Sequence, residues 1–296
     1  MSNGSYLHPD TGVDILPEGT DFILRRNAQV PDRALALHYH DHYEAFYALS
    51  GDMHYAVEGR QYRLEAGNLL IIAPYELHQL VSGGNGGAER ISLRFRRELL
   101  SKLSSQACDL SACFEPHTGH PNLLKLNDRQ QLQAVTTLNN LLTETSTCAF
   151  GHALAESALL TQFFLLINRA FMDGSQVDPI RDNFAQMVQA VVEYIELNYA
   201  RPITLEILGK QFGVDRYQLS REFTRLVGCP PHRFLVQKRL QKVEQLLRNG
   251  LSPQEAAYQC GFSDYTNFYR RFKTAYGMSP RSWQKAITSQ QPNMKS

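Results

Sequence analysis

Tryptophan and cysteine are scarce in this 296-residue chain, with one Trp and five Cys. The cysteines (Cys108, Cys113, Cys148, Cys229 and Cys260) are scattered, odd in number and never spaced C-x-x-C. That speaks against a disulfide framework or a zinc ribbon and fits a reducing compartment. Long apolar runs are missing too. The most hydrophobic stretch, 153–171, is interrupted by Glu156, Gln162, Asn168 and Arg169. It reads as a buried helix, so no membrane partner is expected. The N-terminus has neither a basic region nor an apolar core, so a secretion signal is not expected and the cytoplasm is the expected location.

Net charge is also nearly absent, at +1, but the balance hides an asymmetry. Residues 1–182 carry 14 Lys+Arg against 21 Asp+Glu, whereas residues 183–287 carry 15 against 8. A basic segment of that size is the electrostatic footprint of a nucleic-acid partner.

The basic half repeats itself. Leu219, Phe223, Gly228, Pro231 and Phe234 recur 49 residues later as Phe268, Phe272, Gly277, Pro280 and Trp283. The preceding glycine is offset by only 48, from Gly213 to Gly261, so the second copy has one more residue in its turn. A repeat of helix, glycine turn and helix with an i, i+4 apolar face predicts two helix-turn-helix units reading double-stranded DNA. The first runs through a helix over 205–212, capped by Thr204, and a recognition helix capped by Asp215. Leu219 and Phe223 face inward, leaving Arg216, Tyr217, Ser220, Arg221 and Thr224 for DNA. The second starts at Ser252-Pro253 and leaves Tyr265, Thr266, Tyr269 and Arg270 outward. Arginine suits guanine because its fork matches O6 and N7 together. A connecting helix over 232–247 would hold the recognition helices about one DNA turn apart.

The other half is patterned differently. Between about residues 21 and 95, runs such as Tyr43–Leu49, Met53–Val57, Gln61–Leu64, Leu69–Ile72 and Ile91–Phe95 alternate with turn signals at Ser50-Gly51, Glu58-Gly59, Ala66-Gly67 and a glycine cluster at 83–87. Short strands at that spacing predict a small β-barrel or sandwich. Helices are expected over 98–103, 128–142 and 153–171. The fold class is therefore α+β in two domains: a small β-barrel with flanking helices, then an all-α double helix-turn-helix. The expected boundaries are 1–172 for the first domain, 173–184 for a linker, 185–287 for the DNA-binding domain and 288–296 for a flexible tail.

Residues about 185–286 resemble the DNA-binding domain of the AraC/XylS family of bacterial transcription regulators. The likeness rests on both units, on Arg239 and Leu246-Leu247 in the connecting helix, on Gly261-Phe262-Ser263-Asp264, and on the ending GMSPRSW. The stretch ALHYHDHYEAFYALSG with GNLLIIAPYELHQL is similar to the cupin-like effector domain common in that family. Gly209 departs from the alanine usual there, at a cost of about 1 kcal/mol in helix propensity. Val243 likewise stands where alanine is usual.

His38-x-His40-x3-Glu44-x6-Gly51 has the spacing of the first cupin motif, and His78 follows Pro74 where the second places its histidine. Asp32 stands where the motif's leading glycine would be. Alternation along a strand puts 38, 40, 42 and 44 on one face. His38, His40, Glu44, His78 and Tyr47 are the expected effector-binding residues. Without Tyr47, the same set is a candidate ligand set for a divalent metal. The leading reading is a sequence-specific regulator, not an enzyme, that needs no cofactor, responds to a small effector such as a sugar, and works as a homodimer; the apolar helix around 159–167 either supplies the dimer face or packs on the barrel. The alternative is a metal-dependent cupin enzyme fused to a DNA-binding domain.

Overall fold

The computed structural model describes residues 16–17, 19–28, 30, 35–83, 87–114, 122–147, 149–177, 179 and 184–288. Asp32, Cys148, residues 84–86, most of 178–183 and the 289–296 tail lie outside them. The chain divides into two compact units, Met1–Asp182 and Asn183–Ser296.

The first unit contains β1 (Phe22–Asn27), β2 (Tyr43–Ser50), β3 (Asp52–Val57), β4 (Arg60–Glu65), β5 (Leu69–Ile72), β6 (His78–Ser82), β7 (Glu89–Phe95), α1 (Arg97–Leu103), β8 (Leu123–Leu124), α2 (Asp128–Thr145), α3 (His152–Met172) and β9 (Gln176–Val177). Six strands form one sheet in the order β1-β7-β2-β5-β8-β9, and three form another, β4-β3-β6. Every pairing is antiparallel. The expected linker gives way at β9, which pairs with β8 and belongs to the sheet.

Side-chain alternation gives the larger sheet two buried faces. Phe46 and Ala48 of β2 pack with Met53, Tyr55, Val57 and Leu80 between the two sheets. Tyr43, Ala45 and Tyr47 face the other way, into a layer with Leu160, Phe163, Phe164 and Ile167 of α3. Of the two uses open to this stripe, dimerisation or packing on the barrel, the structure shows the second. The β3–β4 hairpin turns at Glu58-Gly59, where both residues are left-handed, at φ 47° and 76°, as a two-residue turn between twisted strands requires. Glu58 is held there because Leu77 N–H donates to its Oε1 at 2.7 Å.

The second unit is helical: α4 (Ala185–Asn198), α5 (Leu205–Phe212), α6 (Arg216–Val227), α7 (Pro231–Arg248), α8 (Pro253–Gln259), α9 (Tyr265–Tyr276) and α10 (Pro280–Thr288). Both recognition helices start alike. Asp215 accepts from Tyr217 N and Gln218 N, and Asp264 accepts from Thr266 N and Asn267 N. Both end at a left-handed glycine, Gly228 and Gly277. Helix α7 has 18 residues, about 27 Å at ~1.5 Å per residue.

Candidate effector and DNA-reading sites

Four of the five residues expected at the effector site converge. His38 pairs with His78 through two backbone hydrogen bonds of 3.0 and 2.9 Å. Their ring centroids are 4.2 Å apart, and His40 lies 4.8 Å from His78. Glu44, 2% exposed in its side chain, brings Oε2 to 3.2 Å from His40 Nε2 and 3.4 Å from His78 Nε2. Neither approach is aligned as a hydrogen bond: both nitrogens are buried without one.

The reason lies at the other ring nitrogen. Nδ1 of His38 faces Ala36 O at 2.9 Å, that of His40 faces His42 O at 2.9 Å, and that of His78 faces Glu76 O at 2.8 Å. A carbonyl only accepts, so each Nδ1 carries the proton in the neutral ring and each Nε2 presents a lone pair. Burial pushes the His38 and His40 pKa values down, His38 well below the usual 6.5, with neighbouring histidines adding to the effect. Burial would raise the Glu44 pKa, but the Arg94 guanidinium beside it holds it well below its ordinary 4.5. The result is an inward-facing carboxylate beside the His38 and His40 rings, which burial keeps neutral, and beside the buried, unbonded Nε2 of His78. The candidate ligand atoms of His38, His40 and His78 lie within 4.8 Å of one another, as do those of His40, His42 and Glu44.

Tyr47 is not part of this site. Its odd position turns it toward the helices, where its hydroxyl donates to Gln131 O at 3.2 Å. In its place stand Arg94 and Arg90, which the sequence reading missed, and His42, which it placed on this face but left out of the site. Arg94 lies directly across the ladder from Glu44 and donates from Nε to Glu44 Oε1. Arg90, on the same face, sits 4.3 Å over the Phe46 ring and donates to the Tyr55 hydroxyl. His42, 1% exposed, stacks on His40 at 3.8 Å. Arg90, Ser92 and Arg94 alternate with Ile91, Leu93 and Phe95, which puts both arginines on one face but does not say that this face is covered.

In the second unit, Leu219, Phe223, Phe268 and Phe272 are fully buried, as expected. Tyr217, at 69%, is exposed together with Arg216, Arg221 and Thr224; Ser220 is half-buried. Arg216 donates to Glu206 at 2.8 Å and to the Tyr217 hydroxyl at 2.8 Å. Arg221 and Arg225 both reach Glu222, at 3.2 and 2.8 Å. On α9, Thr266, Tyr269 and Arg270 are exposed. Tyr265 is half-buried, with its ring packed 5.4 Å from Phe268.

The family model described as AraC-like ligand binding domain matches residues 23–164. That described as helix-turn-helix domain matches residues 208–286. The chain belongs to the AraC family of transcription regulators. Among relatives, the HTH-type transcriptional regulator YbfI of Bacillus subtilis is 24% identical over 78% of this chain and 80% of its own. The HTH-type transcriptional activator RhaS of Klebsiella pneumoniae is 25% identical over 86% and 88%. A crystal structure of ToxT from Vibrio cholerae, bound to an unsaturated fatty acid, aligns over 91% of this chain and 97% of its own at 13% identity and a TM-score of 0.39, too loose a likeness to build on. As an AraC-family regulator, the chain couples an effector-binding unit to a DNA-binding unit. Among the described residues no helix is long and apolar enough to cross a membrane.

Proposed function

We propose that His38, His40, His78 and Glu44 form the sensing site of this regulator, and that the chain binds its effector there without catalysing a reaction. The observation that carries the reading is the cluster of buried Nε2 lone pairs beside an ionised carboxylate. Acceptors buried together are costly unless something satisfies them. A small polar molecule bearing hydroxyl donors, such as a sugar, supplies what the rings lack. Its binding can bias DNA affinity only through a difference in affinity between two arrangements of the protein. A homodimer in the cytoplasm is the setting this reading assumes, in keeping with Cys113, Cys229 and Cys260 being buried and unbridged.

The tautomers also favour a second reading. Neutral imidazoles held through Nδ1 and converging through Nε2 are how histidines present themselves to a transition metal, and a separation under 4.8 Å suits an atom-sized guest. Three nitrogens and one carboxylate oxygen fit Zn, Fe, Mn or Ni. The enzyme alternative stands or falls with that metal.

The test is a thermal-shift screen of the full chain, stripped with chelator, against sugars and organic acids and separately against divalent metals. An organic ligand that stabilises the stripped protein by mass action and alters DNA binding supports the sensor. Stabilisation by metal alone, lost in His78→Ala, together with no organic ligand effect on DNA binding, sinks it. Acid gives an independent check. With folded pKa values below 6.5, His38 and His40 take up protons in the unfolded chain first, so stability of the first unit falls as pH drops below about 6.5. The Glu44 contribution persists to lower pH and is lost as its own depressed pKa is passed. Calorimetry from pH 7.5 to 5 reads the histidine step, and extending it below pH 4.5 reads the Glu44 step.

A further inference from the structure

Helix α4 lies across both halves of the DNA-binding unit. Its body packs against the first helix-turn-helix, with the Tyr194 ring 5.8 Å from Phe212 of α5. Its end belongs to the second: Tyr199 packs into the core formed by Val243, Leu247, Phe262, Phe268 and Phe272. The chain beyond α4 is then held from two sides. Arg239, midway along α7, donates from Nε to Tyr199 O at 2.8 Å and from Nη2 to Arg201 O at 2.9 Å. Gly261, in the turn before α9, comes so close to Ala200 that a Cβ there would stand 2.5 Å from the Ala200 oxygen. The Arg239 guanidinium also lies 5.8 Å from the Phe262 ring centre, one residue past Gly261.

Two bodies joined by a single helix can pivot about it. Here a second link runs alongside, from α4 through residues 199–201 to the turn that launches α9. Arg239 is where that link is fastened to α7. Its planar fork spans two carbonyls that are two residues apart, which a point-like ammonium cannot do. Burial lowers its pKa from the usual arginine value, as befits a guanidinium enclosed by protein rather than extended toward phosphate. We propose that Arg239 is a positioning residue: by clamping the end of α4 to α7 it sets the distance and angle between α6 and α9, and so the spacing of the two DNA segments the regulator accepts.

The experiment uses the full chain and duplexes that it enriches from a randomised pool. Footprinting locates the two contacted segments, and versions are made with one or two base pairs added or removed between them, together with a duplex holding one segment alone. The unaltered protein should lose about tenfold or more in affinity when spacing is changed, the scale of a base-pair mismatch. In Arg239→Lys and Arg239→Gln that penalty should shrink to about threefold or less, with single-segment binding unchanged and helical content retained. Phe262→Leu, which keeps apolar volume but removes the ring under the guanidinium, should give a smaller change in the same direction. If the variants keep the full spacing penalty, Arg239 does not position the helices. A uniform loss on every duplex with a shallower salt dependence would instead make Arg239 a phosphate contact and overturn the proposal. Should Arg239→Gln fail to fold, Arg239→Lys decides the matter alone.

Discussion

The two helix-turn-helix units share their caps and inward faces, yet differ by one residue, and that residue explains the rest. Asp215 follows Gly213 by two positions, whereas Asp264 follows Gly261 by three. In both, the turn closes on the first helix by the same bond, Val214 N to Gly209 O at 3.0 Å and Phe262 N to Ala257 O at 3.1 Å. The shorter turn brings the chain closer: a Cβ on Gly209 would stand 2.9 Å from Val214 O, while Ala257, at the equivalent place, is accommodated and fully buried. Gly209 is therefore not a lapse in helix propensity but the residue a tight turn demands. The units also present charge differently. Arg216, Arg221 and Arg225 on α6 are each bonded to a carboxylate within the protein, while α9 exposes Arg270 on a helix without acidic residues. The duplicated motif thus carries its arginines engaged with carboxylates on α6 and exposes Arg270 on α9.

The largest effects should come from the shared core. Phe223→Ala and Phe272→Ala should each cost about 3–5 kcal/mol, measured by denaturant titration; equal losses would show that the units are equally well packed. Next come the turn glycines, where the comparison is sharpest. Gly213 has open space around its missing Cβ, so Gly213→Ala should cost only the left-handed strain of about 1–2 kcal/mol. Gly261→Ala adds the collision with Ala200 and should cost distinctly more; similar values would break the distinction. Gly209→Ala should destabilise despite alanine's better propensity, and inserting one residue between Val214 and Asp215 should relieve it. A stabilised Gly209→Ala would refute the turn argument. For DNA, Arg270→Ala should remove about 1–3 kcal/mol of base discrimination, seen as relaxed preference in competition binding. Arg221→Ala should lose less, because its guanidinium is already engaged. The smallest effect is Glu222→Gln: releasing two exposed arginines from a pair worth about 0.2–1 kcal/mol should raise DNA affinity by a few-fold at most.

Much of this was legible from residue spacing. The repeat fixed the helices of the DNA-binding unit to within a residue or two, because glycine turns and aspartate caps punctuate it so firmly. The histidine set was legible in its spacing and in the position of His78, but not through one strand: only Glu44 lies in β2, His38 is an isolated bridge partner of His78, and residues 39–42 are irregular. Tyr47 failed by alternation along β2: being odd, it shares a face with Tyr43, not with Glu44. Arg90 and Arg94 escaped for a related reason. Polar residues alternating with apolar ones usually mark a solvent face, but this sheet is covered on both sides, so the polar row lies inside. The apolar stripe of α3 was visible, but whether it meets a sheet or a second copy depends on tertiary packing that no local pattern records.

The backbone pair at His38 and His78 has a consequence for timing. Both rings are tethered through Nδ1 to carbonyls two residues away on their own segments, and the two residues exchange both main-chain hydrogen bonds. A guest held between their Nε2 atoms therefore bridges the same two segments that the main chain already joins. On the proposed reading, a bound guest would add to the two main-chain bonds in holding these segments together, so slower exchange of the His38 and His78 amide protons would report its presence.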